Sequence, residues 1–262
     1  MKKGVILSVL KRWNIWENNI DTGIKRKKYL KEIYPYLERK EVLVIKGIRR
    51  SGKSTIMQQL MKELVKERNV IKKQLLYLNL EDHNFTQDLK ISLFDTVLKS
   101  YLEHTQNKKK VYFFIDEVQR VPGWERWIRT KYDLKENIKF VVSGSSASLL
   151  SKDLSTLLTG RNLAFTIRPL SFNELLTFNK KASLQEYLEF GGFPEVVLEQ
   201  STSKKLKILQ QYFEDIIHKD IIDRHSIRNT KQLINLAHYL IGSAGAKVSL
   251  NKLSRTFGIS KD

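Results

Sequence analysis

The sequence predicts an α/β domain built on a parallel sheet and followed by helices. Three observations carry this. Five short apolar runs alternate with helical patterns between residues 42 and 168. The first run leads straight into a glycine-rich motif, "GIRRSGKST". Beyond Pro169 only helical periodicity remains. Near-continuous apolar strands separated by helices are the pattern of a parallel sheet covered on both faces.

The runs are "VLVI" (Val42–Ile45), "LLYLNL" (Leu75–Leu80), "VYFFID" (Val111–Asp116), "FVVSG" (Phe140–Gly144) and "LAFTI" (Leu163–Ile167). After the first, Ile56, Met57, Leu60, Met61 and Leu64 recur at helical spacing. In "LSFNELLTF", Ser171 and Glu174 form a capping box. A longer helix then carries Leu209, Tyr212, Phe213, Ile216 and Ile217 on one stripe. The last segment, "SLNKLSRTFGISKD", reads as the first helix and turn of a helix-turn-helix, with Gly258 at the turn and Ser260 as the next cap. The expected division is an α/β core over 1–172, a helical lid-like region over 173–228 and the start of a winged helix over 229–262.

The 262 residues are 41% hydrophobic and 29% charged, and no cysteine is present. Disulfides, thiolate zinc sites and cysteine nucleophiles are thereby excluded. No run reaches the roughly 18 apolar residues of a membrane helix. The opening "MKKGVILSVLKR" imitates a signal peptide, but Lys11 and Arg12 interrupt it and no small-residue cleavage site follows, so a cytoplasmic protein is expected. The formal charge is +19, from 47 basic and 28 acidic residues. Residues 1–40 hold 11 basic and 4 acidic groups and residues 201–262 hold 11 and 5, against 25 and 19 in the 160 between. That excess admits a nucleic-acid partner, or reflects lysines scattered over a solvated surface.

Gly47-Ile48-Arg49-Arg50-Ser51-Gly52-Lys53-Ser54 matches the Walker A pattern, with a strand before it and a helix after it. Backbone N–H groups of Gly47, Arg50, Ser51 and Gly52 can curl around phosphates, and the helix N-terminus adds its positive dipole end. Lys53 can reach the β- and γ-phosphates, Ser54 can ligate Mg²⁺, and Thr55 can touch the α-phosphate. This is read as a nucleotide site. The third strand ends in "FFIDEVQR", where Asp116 suits the Walker B carboxylate that holds magnesium through water. Glu117 beside it can activate water against the γ-phosphate, which points to hydrolysis rather than a GTPase-like switch. The fourth strand ends in Ser143, Gly144, Ser145 and Ser146. Ser145 is favoured as a γ-phosphate sensor, with a plain serine-rich turn as the other reading. Thr130–Asp133, "TKYD", fits a loose guanine-reading pattern but falls in a helical stretch, so ATP is expected. Arg161, just before the fifth strand, is either a charge-stabilising arginine, often supplied to a neighbour's site, or a surface residue by a glycine turn.

With these residues in place, the chain resembles the AAA+-type ATPases of the archaeal-ATPase-like group of bacteria and archaea. The matching stretches are "GIRRSGKST", "LYLNLED", "FFIDEVQRVPGWE", "VVSGSSASLL", "LTGRNLAFTIRPLSFNEL" and "GGFPEVVLE", spanning roughly residues 40–200. The resemblance implies an ATPase core with strand order 5-1-4-3-2, then helices and a winged-helix region. The recognition helix of that winged helix would lie beyond Asp262, so the chain is expected to be shortened at its C-terminus relative to the family.

No histidine spacing suggests a metal. Trp124 and Trp127 are expected to anchor a helix on the sheet, Glu81, Asp82 and His83 to be loop residues, and Pro194 in "GGFPEVV" to start a helix. The leading expectation is a Mg²⁺-dependent ATPase whose nucleotide state moves its C-terminal helices, acting as a homo-oligomer or with a partner that supplies an arginine in trans. Two alternatives are a nucleotide-dependent scaffold with negligible turnover and a basic ATPase stimulated by nucleic acid. A metabolic kinase fits least, because no acceptor site is visible.

Overall fold

The structure is a computed structural model that describes residues 3–145, 158–223 and 227–258. The chain opens with two helices, α1 (Lys3–Trp13) and α2 (Lys27–Ile33), the second running on as a 3-10 turn over Tyr34–Leu37. Then follow β1 (Val42–Gly47), α3 (Lys53–Arg68), β2 (Leu75–Asn79), α4 (Ile91–Thr105), β3 (Val111–Asp116), α5 (Trp124–Asp133), β4 (Ile138–Ser145) and β5 (Asn162–Thr166). Short helices α6 (Phe172–Phe178), α7 (Leu184–Phe190) and α8 (Pro194–Leu198) come next. The last are α9 (Thr202–Ile216), extended by a π-helical stretch over Ile217–Ile222, then α10 (Thr230–Gly242) and α11 (Leu250–Phe257).

The five strands form one parallel sheet in the order β2-β3-β4-β1-β5, which is the expected 5-1-4-3-2 taken from the other side. Alternate residues feed two cores. One contains Val42, Val44, Leu76, Phe113, Ile115 and Val142, with Phe94 of α4 and Ile128 of α5. The other contains Leu43, Ile45, Leu75, Phe114 and Val141, with Ile56, Leu60 and Leu64 of α3. Both faces are covered, so the strands read as unbroken apolar runs. Trp127 is an anchor as expected, buried against Phe94 at 4.9 Å and bonding Asp95 through its indole N–H at 2.9 Å.

The first forty residues wrap this sheet. Ile6, Val9 and Leu10 of α1 enter the first core, and Tyr29, Leu30 and Ile33 of α2 enter the second. The edge strand β2 is closed by a side chain: the Asn14 amide donates to the Tyr77 carbonyl at 2.8 Å and accepts from the Tyr77 N–H at 2.6 Å. The Trp16 indole donates to the Leu75 carbonyl at 2.6 Å. An edge satisfied in this way offers less template for another strand. The apolar run that imitates a leader is here a core helix.

Ser171 caps α6 with Glu174 closing the capping box, as the sequence indicates. By compactness the chain divides after Lys205. In the second unit α9, α10 and α11 carry most of the residues, with Phe213 on His238 at 4.7 Å and Tyr239 on Phe257 at 5.4 Å. Gly258 ends α11 in the left-handed conformation, φ +61°. Among the described residues no helix is long and apolar enough to cross a membrane.

Candidate functional site

The C-terminal ends of the strands gather the residues singled out for nucleotide chemistry. Gly47 ends β1, and a side chain there would meet the Ile167 carbonyl at 2.2 Å and Ser51 Oγ at 2.9 Å, so only glycine fits. The chain then turns through left-handed residues at Arg50 (φ 63°) and Gly52 (φ 92°) before α3 begins at Lys53. Ser51 Oγ is buried with no hydrogen-bond partner. Ser54 and Thr55 lie half-buried in the first turn of α3. Backbone donors at a helix start and a buried, unanswered hydroxyl suit an anionic ligand.

Lys53 is almost fully buried, donates to the Ile48 carbonyl at 3.2 Å and stands 3.6 Å from Glu117 Oε1. Asp116 ends β3 and receives two bonds, from the Tyr77 phenol at 2.6 Å and from the Ser143 hydroxyl. Ser143 Oγ also accepts the Glu117 N–H at 3.1 Å. Carboxylate oxygens have two lone pairs each, so Asp116 keeps acceptor capacity for a hydrated cation. Glu117 sits in the left-handed region, φ 56°, and Gln119 donates to its Oε2 at 2.5 Å. Burial pushes the Glu117 carboxyl above the ordinary glutamate range; Lys53 works against this, and the Asp116 charge adds to it. Burial, then the Asp116 charge, raises the Tyr77 phenol well above its usual value, with the Ser54 hydroxyl beside it. Among the described residues no cluster of three or more His, Asp and Glu is placed to hold a metal alone. A magnesium ion bound mainly through water and phosphate needs none.

A family model described as an AAA domain matches residues 39–176, which includes all of these groups. The chain belongs to the AAA family. Residues 181–262 match a domain of unknown function. The chain is 33% identical over 252 residues to an uncharacterized protein of Methanocaldococcus jannaschii, covering 90% of this chain and 54% of that one. It is 32% identical over 241 residues to an uncharacterized protein of Haemophilus influenzae, covering 89% and 59%. The chain thus spans little more than half the length of these curated relatives. Among solved structures, RuvB of Thermotoga maritima aligns at 17% identity over 90% of this chain and 83% of that one, with a TM-score of 0.46.

Two remaining candidates lie differently in the AAA core. Ser145 pairs in register with Gly47, at the same level as the phosphate loop, while Ser143, two residues earlier, is the one bonded to Asp116. Arg161 lies at the opposite end of the sheet. Its carbonyl accepts from Val42 N–H at 2.8 Å, and its guanidinium pairs with Asp133 at 3.0 Å. Five residues of β1 separate that level from Gly47, about 16 Å at the usual rise per strand residue. The Arg161 guanidinium thus lies away from its own chain's phosphate loop, paired with Asp133, as a surface arginine beside a glycine turn would be and as an arginine offered to a neighbour would also be. "TKYD" falls at the end of α5, at that same distant edge, so it reads no base at this site.

Sequence reasoning missed Tyr77, the bridging contact of Ser143, and above all Arg26. The Arg26 guanidinium is 3% exposed. It donates to the Ser51 carbonyl in the phosphate loop at 2.8 Å, to the Arg168 carbonyl after β5 at 2.9 Å, and to both Glu174 oxygens at 2.9 and 3.0 Å. It also lies over the Tyr29 ring at 4.6 Å. One side chain thus joins the phosphate loop to the first helix after the sheet. Nothing in "IKRKKYL" separates Arg26 from its neighbours, because Lys25, Lys27 and Lys28 share its charge. Tyr77 had a weak signal as the lone hydroxyl in an apolar strand. Asp82, expected as a loop residue, is buried and accepts from Arg12 at 2.9 Å and from the Trp13 indole at 2.7 Å, which fastens α1 to the end of β2.

Proposed function

We propose that this AAA protein binds ATP with Mg²⁺ and hydrolyses it, and that its nucleotide state is passed to the helices after the sheet. The observation that carries the reading is the meeting of Lys53, Asp116 and Glu117 at one sheet edge, with Lys53 and Glu117 3.6 Å apart. Ser54 and Asp116 would hold the magnesium ion, which when bound neutralises charge on the β- and γ-phosphates. Lys53 leaves Glu117 for the phosphates as they enter, and the freed Glu117 orients a water molecule as general base. Ser143 bonds the Asp116 carboxylate and the Glu117 N–H, and in this reading Ser145, in register with Gly47, senses the γ-phosphate. The Arg26 bonds supply a route by which a change at Ser51 reaches Glu174 and α6.

A second reading, a nucleotide-dependent scaffold with little turnover, is favoured by one observation: Arg161 is far from its own phosphate loop. In an isolated chain this would leave hydrolysis slow, and assembly with a second copy or a partner would supply the arginine. Steady-state ATP turnover with Mg²⁺, measured over a protein-concentration series for wild type and Arg161→Ala, decides between them. Specific activity that rises with concentration, and falls about a thousandfold or more in Arg161→Ala with ATP binding kept, supports the arginine in trans. Tight ATP binding with flat, near-zero turnover at every concentration supports the scaffold.

A further inference from the structure

Because all five strands are parallel, the turns that enter them lie along one edge, opposite the phosphate loop. The four residues before each strand make twenty in all, of which nine are basic and three acidic. This net excess is about four times denser than the chain average of 19 over 262 residues. Across the sheet the cations run from Lys72 and Lys73 before β2, through Lys108 to Lys110 before β3 and Lys135 before β4, to Arg39 and Lys40 before β1 and Arg161 before β5. No strand lacks one.

The acidic residues at this edge are already answered. Glu38 takes Arg68 at 2.8 Å and Lys110 at 2.9 Å, Glu41 takes Arg39 at 3.0 Å, and Glu136 takes Lys131 at 2.9 Å. Six exposed lysines, Lys40, Lys72, Lys73, Lys108, Lys109 and Lys135, have no ion-pair partner among the described residues. A cleft of about 420 Å³ opens in the middle of the row, lined in part by Lys40, Lys110 and Lys135.

We propose that this edge is a docking face for the phosphodiester backbone of nucleic acid. Four strand spacings set the row at about 19 Å. A DNA strand carries one charge per ~3.4 Å of helix axis, so that length meets about six phosphates, as many as there are unpaired lysines. Lysine ammoniums read phosphate charge and not base sequence, so the face binds without sequence preference. A bilayer fits less well. The exposed apolar residues here, Ile71 and Leu134, sit on the turns before β2 and β4 with the lysine turn of β3 between them, and make no continuous patch to insert. The proposal does not depend on ATP hydrolysis.

The test is fluorescence anisotropy of a labelled 20-base-pair duplex with the full chain between 50 and 200 mM KCl. Wild type should lose about a thousandfold in affinity over that range, a log–log slope near −5. The triple variant Lys72→Glu/Lys73→Glu/Lys108→Glu should flatten the slope by about 3 and weaken binding more than tenfold at 50 mM. The charge-matched Lys90→Glu/Lys180→Glu/Lys181→Glu, away from this edge, should stay within about twofold of wild type in slope and affinity. A milder triple to Gln, with circular dichroism on each protein, separates lost charge from lost folding. Absent wild-type binding at 50 mM overturns the proposal, and so does equal weakening by both Glu triples. Retention on vesicles containing anionic lipid at 150 mM, without duplex binding, overturns it in favour of a membrane surface.

Discussion

At the C-terminal edge of the sheet the charges just after the strands are the arginines Arg49, Arg50, Arg120 and Arg168 and the carboxylates Glu81, Asp82 and Glu117. At the N-terminal edge seven of the nine cations just before the strands are lysines. Of the first set Asp82 and Glu117 are buried and hydrogen-bonded, while Arg50, Glu81 and Arg168 are exposed; Arg26, nearly inaccessible, adds a planar fork that holds a carboxylate and two carbonyls. The second set is mostly exposed and unpaired. Arginine forks suit fixed geometry, and lysine point charges suit a mobile polyanion. About 16 Å of strand separates the two edges, roughly twice the Debye length at physiological salt. Charge bound at one edge is therefore nearly invisible at the other, and any coupling between them must run through the packed sheet.

The strongest way to break this contrast is Glu117→Gln. Turnover should fall by about 10²- to 10⁴-fold with ATP still bound, while DNA anisotropy stays unchanged. Hydrolysis at the wild-type rate would remove Glu117 as the base. Arg26→Ala comes next, since stranding Glu174 in a buried pair should cost about 3–5 kcal/mol in urea unfolding. Arg26→Lys should recover stability in part but not the bond to the Ser51 carbonyl, so ATP affinity should stay low in it. Equal recovery of both would reduce Arg26 to packing.

A smaller effect is expected at the basic edge itself. Lys139 is buried there, its ammonium bonded to the carbonyls of Tyr36 at 2.8 Å, Arg39 at 2.7 Å and Glu41 at 2.5 Å, and burial pushes it down to about 7. Lys139→Met should cost about 1–3 kcal/mol by stranding those carbonyls. It should leave the salt slope of DNA binding nearly untouched, because this lysine faces inward. The mildest test is pH. Glu117 is raised by burial, so turnover should decline on acidification at a pH above that of an ordinary glutamate, as the base takes up its proton. The stability link has the opposite sign: a raised carboxyl favours the fold on the acid side and gives up that contribution as pH rises through its folded value. A turnover profile flat down to the ordinary glutamate range would contradict the burial of Glu117.

The sheet was legible because strands covered on both faces leave unbroken apolar runs, and because Gly47, Lys53, Asp116 and Glu117 lie in short motifs whose spacing the backbone dictates. The family match and the strand order agree with that reading. What escaped it depends on contacts distant in sequence. Arg26 meets Glu174 across 148 positions, and Asn14 meets Tyr77 across 63. The basic row escaped for a related reason: its lysines come from five separate turns, and only the parallel topology places them side by side. Counted along the chain, the middle segment looked the least basic.

The wrap by the first forty residues sets where the transplantable unit begins. The AAA family span starts at residue 39, after α1, Asn14, Trp16 and Arg26. A piece trimmed to that span would keep every motif residue, yet leave β2 with a bare edge, Glu174 without its cation and the Ser51 carbonyl unheld. Weak ATP binding or clumping by such a piece would then report a misplaced cut rather than a defective motif. Module swaps among these proteins should carry the N-terminal wrap with the sheet.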